Sequence, residues 1–156
     1  MLAATAGACC AVSGALAATD SSDMAVSMTV TAECTISANP MTFASVGSAT
    51  LSTTASTATS TLDVQCSNGT TYEITMGAGT GTGATTAARK MISGTDTLDY
   101  NIYSDAGHTT VIEGTGAGLT GTGDGSSQPL TIYGLAPAQT VPAGAYTDTV
   151  TVTLTY

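Results

Sequence analysis

The chain has 156 residues, enough for one domain, or for one domain plus a leader. Eleven acidic residues stand against two basic ones, Arg89 and Lys90, giving a formal charge of -9 that leaves no basic patch for nucleic acid or anionic membrane. Charged residues are 8% of the chain, yet Val, Ile, Thr and Tyr recur in short alternating runs without a helical period, so an all-β fold fits better than disorder.

Residues 2–18 are uncharged and dominated by Ala, Gly, Ser and Thr. They read as the apolar core of a secretory signal over 1–17, with Ala15-Leu16-Ala17 as a small-x-small cleavage site. The basic residue usual before such a core is missing. A retained N-terminal segment is the competing reading, and a membrane span is excluded by shortness and weak apolarity. Removing the leader removes Cys9 and Cys10. Cys34 and Cys66 then remain on two predicted strands, and in an exported chain such a pair reads as a disulfide, stabilising by about 3.5 to 4 kcal/mol in the chain-entropy model. A metal would need more ligands than the single histidine, His108, supplies.

Beyond a small, polar stretch over 18–23, residues 24–30 alternate with period two. This puts Met24, Val26, Met28 and Val30 on one face of an extended strand that runs on towards Cys34-Thr35-Ile36. Asn39-Pro40 signals a turn, and Met41 to Val46 a short strand with Met41 and Phe43 on one face. Residues 47–60 offer only Leu51 to bury and read as an exposed loop or weak edge. Thr61 to Cys66 alternates through Leu62 and Val64. Asn68-Gly69 predicts a type I′ hairpin returning along Tyr72, Ile74 and Met76. Asn68-Gly69-Thr70 also spells a glycosylation acceptor, for which the turn is the preferred reading.

The run Gly77 to Gly83 lacks the Gly-Lys-Ser/Thr of a phosphate-binding loop and is read as loop punctuation. Arg89 to Ile92 leads through the turn 93–96 to a strand, Leu98 to Tyr103. Leu98, Tyr100 and Ile102 share one face of it; Asp99, Asn101 and Tyr103 share the other. Asp105 to His108 is a hairpin tip with a short return at Val111 to Glu113. Residues 114–127 are again loop. Gln128 to Tyr133 is a strand that Pro129 restricts to a first or edge position. The loop 136–144 feeds a terminal strand from Tyr146, along which Val150, Val152, Leu154 and Tyr156 alternate. About eight short strands make a β-sandwich.

Catalytic chemistry finds no footing. His108 lies in a Gly-containing turn, with no nucleophile elbow anywhere. Asp105 and Asp124 belong to no calcium loop, and the three Glu residues sit in no glycosidase-like setting. An enzyme, a cofactor and a metal are not expected. The two terminal strands are the informative feature. Either the early strand pairs within its own chain, or it is given to a neighbouring copy while the last strand lines the receiving groove. Pattern alone leaves both open.

Four segments carry a family resemblance: Val30-Thr31-Ala32-Glu33-Cys34-Thr35-Ile36; Asp63-Val64-Gln65-Cys66 with its turn; Tyr100-Asn101-Ile102-Tyr103-Ser104-Asp105; and Pro142-Ala143-Gly144-Ala145-Tyr146-Thr147-Asp148 running into an alternating, aromatic-ended strand. In this order the chain resembles the archaic chaperone–usher pilins, which share the spore coat protein U-type domain. The resemblance implies an incomplete immunoglobulin-like β-sandwich, residues 31–156, that lacks its last strand. It implies a donor segment over 18–30 with Met24, Val26, Met28 and Val30 as its inserting residues, a Cys34–Cys66 disulfide, and Val150, Val152, Leu154 and Tyr156 along the edge of the acceptor groove. The implied partners are copies of the chain joined head to tail, a periplasmic chaperone and an outer-membrane usher, with the mature chain outside the membrane on the cell surface. A tip adhesin needs a second domain for which there is no length here, so a shaft subunit serving adhesion or biofilm formation is expected. A coat protein that forms no fibre and a carbohydrate-binding sandwich are the alternatives. The second is weakened by seven aromatic residues without a Trp.

Overall fold

The computed structural model describes Gly14 and residues 17–116 and 118–156. The leader reading of 1–17 therefore falls, apart from Gly14 and Ala17, outside the described residues. The chain divides between Val30 and Thr31 into two units. In the first, the described residues carry no strand or helix, and Met24, Val26, Met28 and Val30 are 84%, 85%, 85% and 79% exposed. The alternating pattern that predicts a strand there has no sheet to join within the unit.

The second unit is a two-layer, all-β sandwich of the immunoglobulin-like kind. Its strands are β1 (Cys34–Ala38), β2 (Ser56–Cys66), β3 (Thr71–Met76), β4 (Arg89–Ser93), β5 (Asp96–Tyr103), β6 (Leu119–Thr122), β7 (Ser127–Ala136) and β8 (Val152–Thr155), with one helical turn, α1 (Ser48–Leu51). One sheet has the order β1-β2-β7-β5-β4 and the other β6-β3-β8, all neighbours antiparallel. Alternate residues of β2, β3, β5 and β7 point between the layers. Leu62, Val64, Ile74, Met76, Tyr100, Ile102 and Ile132 there form the core, joined by Leu51 from α1.

Several sequence expectations change. The stretch 47–60 is not one loop: β2 starts at Ser56 and pairs along β7 from Ser56↔Ala136 onward. Its inward residues there are small, Ala58 and Ser60, and Ser60 stays satisfied by donating its hydroxyl to the carbonyls of Asn39 and Pro40. Residues 41–46 form no strand, although Met41 and Phe43 do pack against the core. Asn68-Gly69 closes a turn, with the Thr70 N–H donating to the Ser67 carbonyl at 3.0 Å, but only Gly69 has positive φ (81°). A type I′ turn needs positive φ at both central residues. This turn instead hands the chain from one sheet to the other, since β2 pairs with β1 and β7 while β3 pairs with β6 and β8. Within 114–127 lies β6, too short and too rich in Gly and Thr to show in a pattern. The strand predicted from Tyr146 forms a single bridge, Thr147↔Ile92, before β8 begins at Val152. Pro129 sits inside a central strand, but β5 reaches β7 only at Tyr133, Gly134 and Leu135. At Pro129 that side of β7 faces no strand, so no ladder bond is lost. Among the described residues no helix is long and apolar enough to cross a membrane.

Candidate functional site

The sheets leave β1 and β8 each with one strand neighbour, β2 and β3, and these two edges approach one another across the sandwich. The disulfide Cys34–Cys66 pins β1 at the first rung of its ladder, where the two cysteines are register partners with Cα atoms 4.1 Å apart. Beside these edges the domain opens into an apolar groove of two compartments, of about 480 and 400 Å³. The floor of the larger is core: Leu62, Met76, Ile102 and Ile132. Met41 and Phe43 stand on one wall, Tyr146, Val150 and Val152 on the other. The second compartment is lined by Leu51, Leu98, Ala136 and Val141, and the two meet at Phe43, Met91 and Tyr146.

Each wall is held by local chemistry. Met41 and Phe43 lie over β7 where residue 134 is glycine; a Cβ there would collide with the Met41 sulfur and come within 2.8 Å of the Phe43 ring. Phe43 meets Tyr100 edge-on with ring centres 6.3 Å apart. Tyr100 donates its hydroxyl to Asp148 Oδ2 at 2.7 Å, and Asp148 Oδ1 accepts from the Thr80 and Thr149 N–H groups and the Thr80 hydroxyl. Burial pushes the Tyr100 phenol well above its ordinary range, and the hydrogen bond to Asp148 adds to this. Partial burial works to raise Asp148, but the donors from Thr80, Tyr100 and Thr149 outweigh it and hold the carboxyl below its usual range. Tyr146 donates to the Pro142 carbonyl at 2.9 Å and so fixes the corner from which the last run departs. From Tyr146 to Leu154 every second residue is half-buried and those between are exposed, so this run presents one face to the interior throughout.

Of the residues singled out in the sequence, Val150 and Val152 line the cavity. Leu154 opposes Ile74 in the β3–β8 ladder and packs on the core, while Tyr156 is 60% exposed. Sequence reasoning missed the groove roles of Met41, Phe43, Met76, Met91 and Tyr146. It also missed Arg89, which is 0% exposed and makes five hydrogen bonds: to the carbonyls of Gly77, Thr86, Met76 and Ile112 and to Asn101 Oδ1. Burial lowers its pKa, against the pull of Tyr100, Asp148 and Glu113. The signal was present: Asn101 is a polar residue in the buried strand β5, and Arg89 is one of only two cations in the chain. His108 lies at the hairpin tip with φ 53°, edge-on to Tyr103 and Tyr133, and no cluster able to hold a metal occurs among the described residues.

The segments that carry the resemblance are thus the ones that build the groove's frame: β1 with its disulfide, the Tyr100–Asp105 run and the Tyr146–Asp148 corner. The spore coat protein U domain matches residues 20–153, almost the whole chain. The chain belongs to the spore coat protein U domain family. This domain is also similar to a solved chain of the CsuC-CsuE chaperone–tip adhesion subunit pre-assembly complex from archaic chaperone-usher Csu pili of Acinetobacter baumannii, with a TM-score of 0.60 and 22% identity. The match covers 82% of the present chain and 40% of the other, so the spore coat protein U chain spans less than half of its neighbour's length. At that identity the likeness is one of fold. Comparison with curated proteins finds no match.

Proposed function

We propose that this chain is a structural pilus subunit of the archaic chaperone–usher type, polymerised by donor-strand exchange into an extracellular fibre. The observation that carries the reading is the apolar groove flanked by the open edges of β1 and β8, in a chain that also holds an exposed alternating segment, Met24 to Val30. An extended segment from a neighbour would pair with those edges and set Met24, Val26, Met28 and Val30 into successive apolar pockets. The contact joins two different surfaces, so repetition gives an open filament rather than a closed ring. A subunit that both accepts and donates suits the repeating shaft.

In this reading residues 1–17 are a leader, 18–30 the donor segment and 31–156 the accepting domain. Val150, Val152, Leu154 and Tyr156 run along the groove's receiving edge. A periplasmic chaperone covers the groove before assembly and an outer-membrane usher directs the exchange, in keeping with the pre-assembly complex that the fold resembles. The role is mechanical and adhesive, with no catalysis and no cofactor. A coat protein without fibres is the second reading, favoured by the family's description; electron micrographs of the cell surface separate the two. The direct test is deletion of residues 18–30. The truncated subunit should fold with its chaperone, fill its groove and fail to polymerise, and polymerisation without the segment would overturn the assignment.

A further inference from the structure

The chain has six methionines, and all five beyond Met1 fall either in the segment 24–30 or on the groove lining. Met24 and Met28 lie in the donor segment; Met41, Met76 and Met91 line the larger compartment of the groove. Their accessibility differs sharply. Met24 and Met28 are 84% and 85% exposed, whereas Met76 is 1% exposed and Met41 and Met91 are half-buried. A thioether fills irregular apolar space well, but its sulfoxide is polar and no longer suits an apolar pocket.

We propose that Met24 and Met28 are oxidation sites for peroxides, and that their oxidation slows strand donation; this rests on the donor-strand reading above. A sulfur lone pair attacks one peroxide oxygen and the O–O bond breaks. The sulfur–oxygen bond forms, the second oxygen leaves as hydroxide, and the proton on the transferred oxygen passes to it, giving sulfoxide and water. Sulfur loses two electrons and the peroxide gains them. The sulfoxide would meet Leu62, Ile102 and Ile132 on the groove floor, which offer no hydrogen-bond donor, and the Tyr100 hydroxyl in the lining is already given to Asp148, so insertion is disfavoured. A donor already inserted is shielded by the same walls. Free subunits are therefore sensitive to oxidant and assembled fibres are not.

The test treats the purified full-length chain with dilute hydrogen peroxide, maps oxygen uptake by peptide mass spectrometry and follows polymerisation. Met24 and Met28 should gain oxygen before Met76, and assembly should slow about tenfold. Methionine sulfoxide reductase should restore it. The double variant Met24→Leu/Met28→Leu, altered only at exposed positions, should assemble at one rate with or without peroxide, and preformed fibres should keep both methionines unoxidised. Oxidised wild-type chain assembling at the untreated rate would overturn the proposal alone, as would equal slowing of the Leu variant. Failure of the untreated chain to assemble would overturn the donor-strand reading and this inference with it.

Discussion

Arg89 shows at the residue scale how a nearly cation-free chain spends one of its two basic groups inside. The guanidinium gathers the carbonyls of Met76 and Gly77 at the end of β3 and of Ile112 in the return beside β5, and Asn101 holds it from β5 while donating to the Ala87 carbonyl. Replacing Arg89 by Leu strands these buried acceptors, and thermal or urea unfolding should show a loss of at least about 3 kcal/mol. The Tyr100–Asp148 pair gives a pH signature. Asp148 has a folded pKa below its unfolded value of about 3.9, so its contribution is full above that pH and fades as pH falls. Tyr100 has a folded pKa above its unfolded value of about 10, so its contribution is full below that pH and fades as pH rises. The melting temperature should therefore be flat near neutrality and fall on both sides. Asp148→Asn should make the acid limb shallower and Tyr100→Phe the alkaline limb; unchanged slopes would refute the assignment.

At the scale of elements, the groove is a matter of which strand edges stay open and what props them. Opening Cys34–Cys66 by a double Ser substitution removes the covalent tie at the first rung of the β1–β2 ladder. A loop of this length, with a sequence separation of 32, should cost about 3.5 to 4 kcal/mol in denaturant titration. Gly134→Ala should cost about 1 to 3 kcal/mol, because the added methyl must displace Met41 or Phe43, and the groove wall moves with them. Strands with clean alternation and a single turn were legible in the sequence: the Leu98–Tyr103 stripe, the Leu62–Val64–Cys66 face and the cysteine pair. What escaped depended on partners remote in the chain. Ser56 to Ser60 is strand because β7 lies beside it, β6 because β3 does, and the Asn68-Gly69 corner bridges sheets because its two strands find different neighbours. The groove was legible only as the edge Val150 and Val152. Its opposite wall, Met41 and Phe43, showed as an alternating pair, but the segment joins no sheet, so the pattern gave a strand where there is a groove wall.

For the whole molecule, the proposed donation of residues 24–30 and their receipt by the groove separate polymerisation into two acts. Val26→Asp should abolish donation and leave acceptance intact; Val152→Asp should do the reverse, since the added carboxylate would face Leu62, Met76, Ile102 and Ile132 in a groove whose described lining already holds Asp148 and no cation. Neither variant should polymerise alone, and a mixture should yield dimers by size-exclusion chromatography, with one donor inserted into one acceptor. The central claim is that residues 24–30 of one copy occupy the groove of another. A photo-reactive side chain placed at position 26 tests it most directly, with the adducts sequenced by mass spectrometry. The account predicts links between chains, from residue 26 to peptides containing Met41, Phe43, Val150 or Val152; links confined to a single chain would contradict it.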